Sequence, residues 1–256
     1  MVSRLDHYSG RTVSPGRVAL SDWFEEFFGE EYLRLYPHRD EEDAARLVGL
    51  LVRLLPWEPG WRVLDVACGT GRHAAWFRAK GGQVVGLDLS HRLLVRAQAT
   101  AAVPLVRSDV RRIPIRPRAM DLTVNLFTSF GYFDTEADHR LALGEMLATV
   151  RPGGWFVLDF LNAAAVRRSL VPSEAGSIEG RTVQIDRWLD PAERHVFKRI
   201  TVDGRRLVER VRLFEAGELE AMLAGLGCRV VHRAGDYDGG PLAPEAPRVL
   251  LAGQVT

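Results

Sequence analysis

Apolar and polar positions along this chain change period in a regular order. Short, nearly continuous apolar runs at 62–66, 83–88, 103–106, 121–126 and 155–160 read as strands, and stretches at 71–80, 90–100 and 135–150 between them read as helices. Apolar strands alternating with helices predict a parallel sheet with helices on both faces, a doubly wound α/β fold. Arg151-Pro152 followed by Gly153-Gly154 ends the long helix and feeds Trp155 to Asp159 into the fifth strand.

Two regions depart from that rhythm. Ahead of it, residues 1–20 are polar, residues 21–39 carry an aromatic stripe at helical spacing, and "DEEDAARLVGLLVRLLP" places Leu47, Leu50, Leu51 and Leu54 on one helix face, with Asp40 as N-cap and a stop before Pro56. Beyond the fifth strand, residues 181–214 alternate with period two around Asp190-Pro191 and Asp203-Gly204, the latter a type I′ hairpin signal. They predict three inserted antiparallel strands. A helix at 215–226 and strands at 229–234 and 247–254 complete a seven-stranded sheet. The organisation expected is therefore N-terminal helices over 1–56, then a main domain over 57–256 with an antiparallel insertion over 177–214.

Composition narrows the setting. The chain has 256 residues, 46% hydrophobic and 26% charged, which suits one α/β domain with additions. No apolar run approaches the ~20 residues of a membrane helix, and the first residues lack the apolar core of a secretory signal. Two cysteines, Cys68 and Cys228, are too few for a disulfide scaffold, so a reducing cytoplasm is the expected compartment. Thirty-four basic against 33 acidic side chains give a net charge of +1, so nothing global attracts nucleic acid. The seven histidines are scattered and no HxxxH or CxxC spacing occurs, which leaves no metal set.

The chemistry concentrates in "LDVACGTGRH", Leu64 to His73. Gly69 and Gly71 after a strand let the backbone turn tightly and approach a ligand, while the next helix aims its first N–H groups at it. With Ala74 they also fit GxGxxA, and Asp88 lies near the end of a second strand, as a dinucleotide site requires. Asp65 separates the two. A carboxylate beside a pyrophosphate is repulsive, whereas S-adenosylmethionine carries a sulfonium, an ammonium and no phosphate, and keeps a ribose diol for Asp88.

At this point the sequence resembles the class I S-adenosylmethionine-dependent methyltransferases over roughly Trp57 to Val255. "VLDVACGTGRH", "VVGLDLS", "RSDV", "MDLTVNLFTSFGYF" and "LATVRPGGWFVLDF" occur in the family's order. Ala67 stands where the family usually has its first glycine. The resemblance implies that Asp65 orients the methionine ammonium and that Ala67, Cys68, Gly69, Thr70 and Gly71 line the methionine portion. It further implies that Asp88 holds the ribose hydroxyls, Leu89 packs on adenine, Ser108, Asp109 and Val110 border the adenine, and Asn125, Leu126 and Phe127 end the fourth strand beside the sulfonium. Leading helices in similar methyltransferases form a lid, which makes Tyr32 and Arg39 cofactor contacts.

The acceptor side is less constrained. Displacement on a sulfonium-activated carbon needs positioning more than a base. Tyr132, in the aromatic cluster Phe127, Phe130, Tyr132 and Phe133, and His139, the nearest histidine, are the candidate catalytic residues, against core packing for the aromatics and an exposed structural role for His139. Other residues carry two readings as well. Asp109 is a turn carboxylate or an adenine contact, and Asp236, Tyr237 and Asp238 are acceptor contacts or a plain turn; His73 is solvent-facing or a ligand contact, and Cys68 lacks an adjacent base. The expected reaction is methyl transfer to a small organic molecule, with oligomeric state unassigned. Its rivals are a tRNA or rRNA methyltransferase, kept open by Arg181, Arg187, Arg194, Arg199, Arg205 and Arg206, a non-catalytic S-adenosylmethionine-binding module, and an NAD-dependent oxidoreductase.

Overall fold

The computed structural model describes residues 41–178 and 180–256. Its first helix, α1 (Glu41–Leu54), has Glu41, Glu42 and Asp43 in the first turn and Arg53 in the last, matching the helix dipole at both ends. Strand and helix then alternate: β1 (Arg62–Val66), α2 (Arg72–Ala79), β2 (Gln83–Asp88), α3 (His91–Thr100), β3 (Leu105–Arg107), β4 (Met120–Asn125), α4 (Glu136–Ala148) and β5 (Val150–Leu161). After α5 (Ala163–Ser169), β6 (Ser173–Ile178), β7 (Arg181–Leu189), β8 (His195–Val202) and β9 (Arg205–Arg212) form a separate antiparallel sheet; α6 (Ala216–Gly225), β10 (Cys228–Ala234) and β11 (Arg248–Val255) close the chain.

The main sheet has seven strands in the order β10-β11-β5-β4-β1-β2-β3. β1 to β5 pair in parallel, and β11 is antiparallel to both β5 and β10. Strand order reverses beside β1, where ligands of doubly wound sheets bind at the carboxyl ends of the strands. Leu64, Val66, Leu87, Phe156 and Phe160 share one core cluster with Leu143 and Met146 of α4 and Leu219 and Leu223 of α6. Val63, Val84, Leu122 and Val157 share the other with α1 and α2 through Leu47, Leu51, Ala74 and Phe77. Asp65, two residues after Val63, therefore projects on the α1/α2 side.

Three features differ from the sequence-based expectation. The insertion has four strands rather than three and begins at Ser173, because "SEAGSI" lacks period-two alternation and becomes a strand by edge pairing with β7. β5 begins at Val150, ahead of the glycine pair, with a register shift against β4 between Met120 and Leu122. α1 belongs to the main core rather than to a separate N-terminal cover, since Ala44, Leu47, Val48, Leu50 and Leu51 are all buried. The type I′ turn is present, with positive φ at Asp203 (48°) and Gly204 (76°). Residues 1–40, including Asp40 and the aromatic stripe, lie outside the described residues.

Candidate active site

The turn leaving β1 is built for close approach. The Cys68 N–H donates to Leu87 O (2.9 Å) and the Gly71 N–H to Cys68 O (2.9 Å), tying the turn to β2 and to itself. Ala67, Gly69 and Gly71 all take left-handed φ values of 57°, 57° and 80°. A Cβ on Gly69 would meet nothing within 4 Å, so its surface is open, whereas one on Gly71 would sit 2.6 Å from the Ala101 Cβ. Gly69 thus faces open space, and Gly71 is required for packing against α3. Thr70 is fixed through its carbonyl, which accepts from the Thr100 hydroxyl (2.7 Å).

Two carboxylates flank this turn. Asp88 accepts from the N–H of Gly69 and of Ser90, both at 2.8 Å, while Ser90 itself caps α3 by accepting from the Leu93 N–H. Asp65 is 1% exposed, receives the Ala74 N–H, and has a carboxylate oxygen, Oδ2, with no hydrogen-bond partner. Burial, with Asp88 nearby, pushes the Asp65 carboxyl up to about 7, and burial also raises Asp88. At the end of β4, Asn125 donates from Nδ2 to Val66 O (3.1 Å) and leaves Oδ1 buried without a partner. Orphaned acceptors beside an open glycine turn fit a cationic ligand, and a carboxylate's roughly four acceptor positions let Asp88 take diol hydroxyls as well as its backbone partners. These residues fit S-adenosylmethionine.

Other sequence candidates sit differently. The Asp109 carboxylate is taken up by Arg111, through the backbone N–H (2.8 Å) and a guanidinium contact of 2.6 Å, which holds it below the usual carboxylate range despite partial burial; the geometry is that of the turn reading. The Ser108 hydroxyl likewise donates to Arg112 O (2.7 Å), and Val110 packs against the first core cluster. Leu89, after Asp88, is partly exposed. Burial raises the Cys68 thiol far above its ordinary value, so it is a lining group and no nucleophile. His73 is buried rather than solvent-facing, and burial, Arg72 and Arg248 push it down to about 3. His139 is buried rather than exposed. It lies among Phe130, Phe133 and Phe214 at ring separations of 5.1 to 5.3 Å, and burial lowers its pKa. A packed neutral ring in that cage is a core residue, which corrects its reading as a base. Tyr32 and Arg39 lie outside the described residues.

The loop after β4 is held at three places. Phe127 and Thr128 both take left-handed φ, the Phe127 N–H donates to Asp159 Oδ2 (2.8 Å), and Leu126 is buried beneath. Arg72 and Arg248 lie over the Phe127 ring at 5.3 and 5.6 Å. Further on, β9 grips the loop: the Arg212 N–H donates to Gly131 O (2.8 Å), Tyr132 donates to Glu209 Oε1 (2.6 Å), and Arg210 reaches Phe133 O and the Asp134 carboxylate. The turn at 235–240 is the plain-turn alternative. Asp236 accepts from the N–H of Asp238 and Gly240, Asp238 pairs with Arg46, and the buried Tyr237 donates to Asp159 (2.8 Å). Sequence reasoning missed Asp159, Arg248, Lys198 and Glu209. The one available signal was a charged residue inside an apolar run, as in "WFVLDFL".

A seven-stranded sheet with its last strand reversed, an acidic residue just before the end of β1 and another ending β2 form the architecture of class I S-adenosylmethionine-dependent methyltransferases, and this chain carries a domain of that kind. Residues 63–154 match the family described as "Methyltransferase domain". Among its relatives, the dTDP-3-amino-3,4,6-trideoxy-alpha-D-glucopyranose N,N-dimethyltransferase of Streptomyces venezuelae is 29% identical over 194 residues, 70% of this chain and 78% of that protein. The malonyl-[acyl-carrier protein] O-methyltransferase of Serratia marcescens is 32% identical over 110 residues, 43% of this chain and 42% of that protein. Among solved structures, S-adenosylmethionine-bound CalS10, an amino pentose methyltransferase from Micromonospora echinaspora, superposes with a TM-score of 0.67 at 25% identity, covering 89% of this chain and 96% of its own. The methyltransferase assignment removes the NAD-dependent oxidoreductase reading. No group of three His, Cys, Asp or Glu side chains suited to a metal occurs among the described residues, nor does a helix long and apolar enough to cross a membrane.

Proposed function

We propose that the enzyme methylates the amine nitrogen of a small organic acceptor, an amino sugar carried on a nucleotide. The observation that carries this reading is the grip of β9 on Gly131, Tyr132 and Phe133, which brings the insertion against the loop leaving β4, beside the end of Asn125. An edge enclosed in this way suits a small molecule rather than a long polymer. The amino-sugar relative matches over 70% of the chain, well past the cofactor-binding part, whereas the malonyl relative matches over 43%. Arg181, Arg187, Arg194 and Arg199 pair with Asp203, Glu174, Glu136 and Asp186, so four of the six arginines named in the insertion are compensated, which speaks against the basic stripe an RNA substrate needs.

When bound, S-adenosylmethionine supplies the methyl: the acceptor nitrogen's lone pair forms the new C–N bond, the C–S pair stays on sulfur, and the product sheds one proton. Asp65 holds the ammonium of the methionine portion, Asp88 the ribose diol, and the turn from Ala67 to Gly71 excludes water beneath them. Leu89, Ser108 and Val110 border the adenine; Asn125, Leu126 and Phe127 shape the methyl's surroundings, and Tyr132 meets the acceptor. The insertion completes the acceptor side. Two free, buried cysteines suit a cytoplasmic enzyme.

The test is transfer of labelled methyl from S-adenosylmethionine to a panel of nucleotide-linked amino sugars, their hydroxy counterparts, malonyl thioesters and bulk tRNA. Transfer to an amine is the expected result; transfer to tRNA alone, or binding without turnover on any acceptor, overturns the reading. Asp88→Ala is expected to weaken S-adenosylhomocysteine binding by about 10-fold or more without unfolding the protein. Calorimetry giving unchanged affinity would remove Asp88 from the site.

A further inference from the structure

β7, β8 and β9 place Arg187, Lys198 and Glu209 in one cross-strand row. The same face of the insertion carries Val183, Ile200, Val202 and Val211, each at most 4% exposed. Lys198 and Glu209 form an ion pair there, at side-chain exposures of 15% and 10%, and the Tyr132 hydroxyl reaches Glu209 from the loop after β4. A buried ion pair is a poor source of stability, because desolvation offsets its Coulomb energy, and an apolar pair would serve the sheet as well. The pair is joined to the element that carries the acceptor side of the site.

The geometry points to Glu209 as the residue that recognises the acceptor amine and to Lys198 as the positioning residue that keeps this amine unprotonated. This rests on the small-amine reading above. A lone carboxylate would hold the acceptor as an ammonium ion, whose nitrogen has no lone pair to give. With Lys198 against it, the Glu209 carboxylate accepts an N–H from a neutral amine, while the neighbouring ammonium disfavours a second positive charge. Tyr132 supplies the exchangeable donor whose place beside Glu209 the amine takes or shares. Among the described residues, the other charged groups of the face are Arg187, paired with Glu174 of β6, and Arg181, paired with Asp203, with Arg205 toward the far end. A hydroxyl acceptor gains little from the arrangement, since it needs a base strong enough to remove its proton.

The test uses the full-length enzyme with S-adenosylmethionine and two probes, dTDP-3-amino-3,4,6-trideoxyglucose and its 3-hydroxy counterpart, or the corresponding pair for whichever amine the panel identifies. Glu209→Gln is expected to lower kcat/KM on the amine by about 10-fold or more, with S-adenosylhomocysteine affinity unchanged. Lys198→Met is expected to move the acidic limb of the kcat/KM profile about one pH unit upward, and Lys198→Arg to restore it. If both Glu209→Gln and Lys198→Met bind S-adenosylhomocysteine normally and keep the wild-type profile, the pair is a structural cross-link and the assignment falls while the amine reading stands. Should either variant lose S-adenosylhomocysteine binding, Glu209→Asp decides: a raised KM for the amine supports the role and an unchanged KM overturns it. Wild-type transfer to the hydroxy probe alone overturns both readings together.

Discussion

Asp65 shows how one buried side chain ties protonation to stability and, on the proposed reading, to binding. Its carboxyl is pushed from 3.8 to about 7, chiefly by burial and then by Asp88, so the folded protein holds the proton more tightly than the unfolded chain. Stability from this group is therefore full below about pH 4 and is lost as pH rises toward 7. A bound methionine ammonium favours the ionised form, so S-adenosylhomocysteine affinity is expected to rise with pH through about 7. Asp65→Asn is expected to raise stability at pH 8 by about 1–3 kcal/mol and to weaken cofactor binding by about 10- to 100-fold, with the pH dependence flattened. Thermal melts and calorimetry between pH 6 and 8 check both signs. Asp65 was legible in the sequence because a charge ending an apolar strand before two glycines has few explanations. His139 was not. Its place on the helix was readable, but the cage of Phe130, Phe133 and Phe214 is drawn from separate elements and converts a candidate base into packing.

At the scale of elements, the turn between β1 and α2 has its shape fixed by packing against α3. Gly71 sits where a Cβ would lie 2.6 Å from the Ala101 Cβ and 3.3 Å from that of Ala97, at a φ of 80°. Gly71→Ala is expected to cost about 2–4 kcal/mol, because α3 has to shift away and the left-handed φ adds strain. Denaturant titration reads the loss, and a cost below about 0.5 kcal/mol would mean that α3 yields freely. Most elements were readable from period and punctuation, β1, β2 and the Asp203-Gly204 hairpin among them. The misses share a cause. β6 is a strand because β7 offers it an edge, and α5 is a seven-residue helix capped by Asn162, whose Oδ1 accepts from the Ala164 N–H; neither carries a pattern long enough to announce itself.

For the molecule as a whole, Asp159 is the joint between the loop after β4, the turn at 235–240 and β11. Fully buried on β5, it accepts from the Phe127 N–H, from Tyr237 and from Arg248 of β11, each at 2.8 Å, and so ties four parts of the chain together. Asp159→Ala leaves Arg248 buried without its counter-charge and is expected to cost about 3–5 kcal/mol. Asp159→Asn, which keeps the shape, is expected to lose less and to show whether activity falls with stability or separately, read from melts and methyl transfer together. The sequence by itself determined the class of fold, the glycine turn after β1 and the two carboxylates beside it, because these are local: a strand, a turn and a helix start lie within ten residues of one another. Only the tertiary structure decided which charges are neutralised, which histidine is packed away, and which groups of the insertion meet Tyr132. Asp159 with Arg248 and Lys198 with Glu209 come from strands distant in sequence or from different hairpin arms. Their energies depend on desolvation and distance, which exist only once the sheet edges have been brought together.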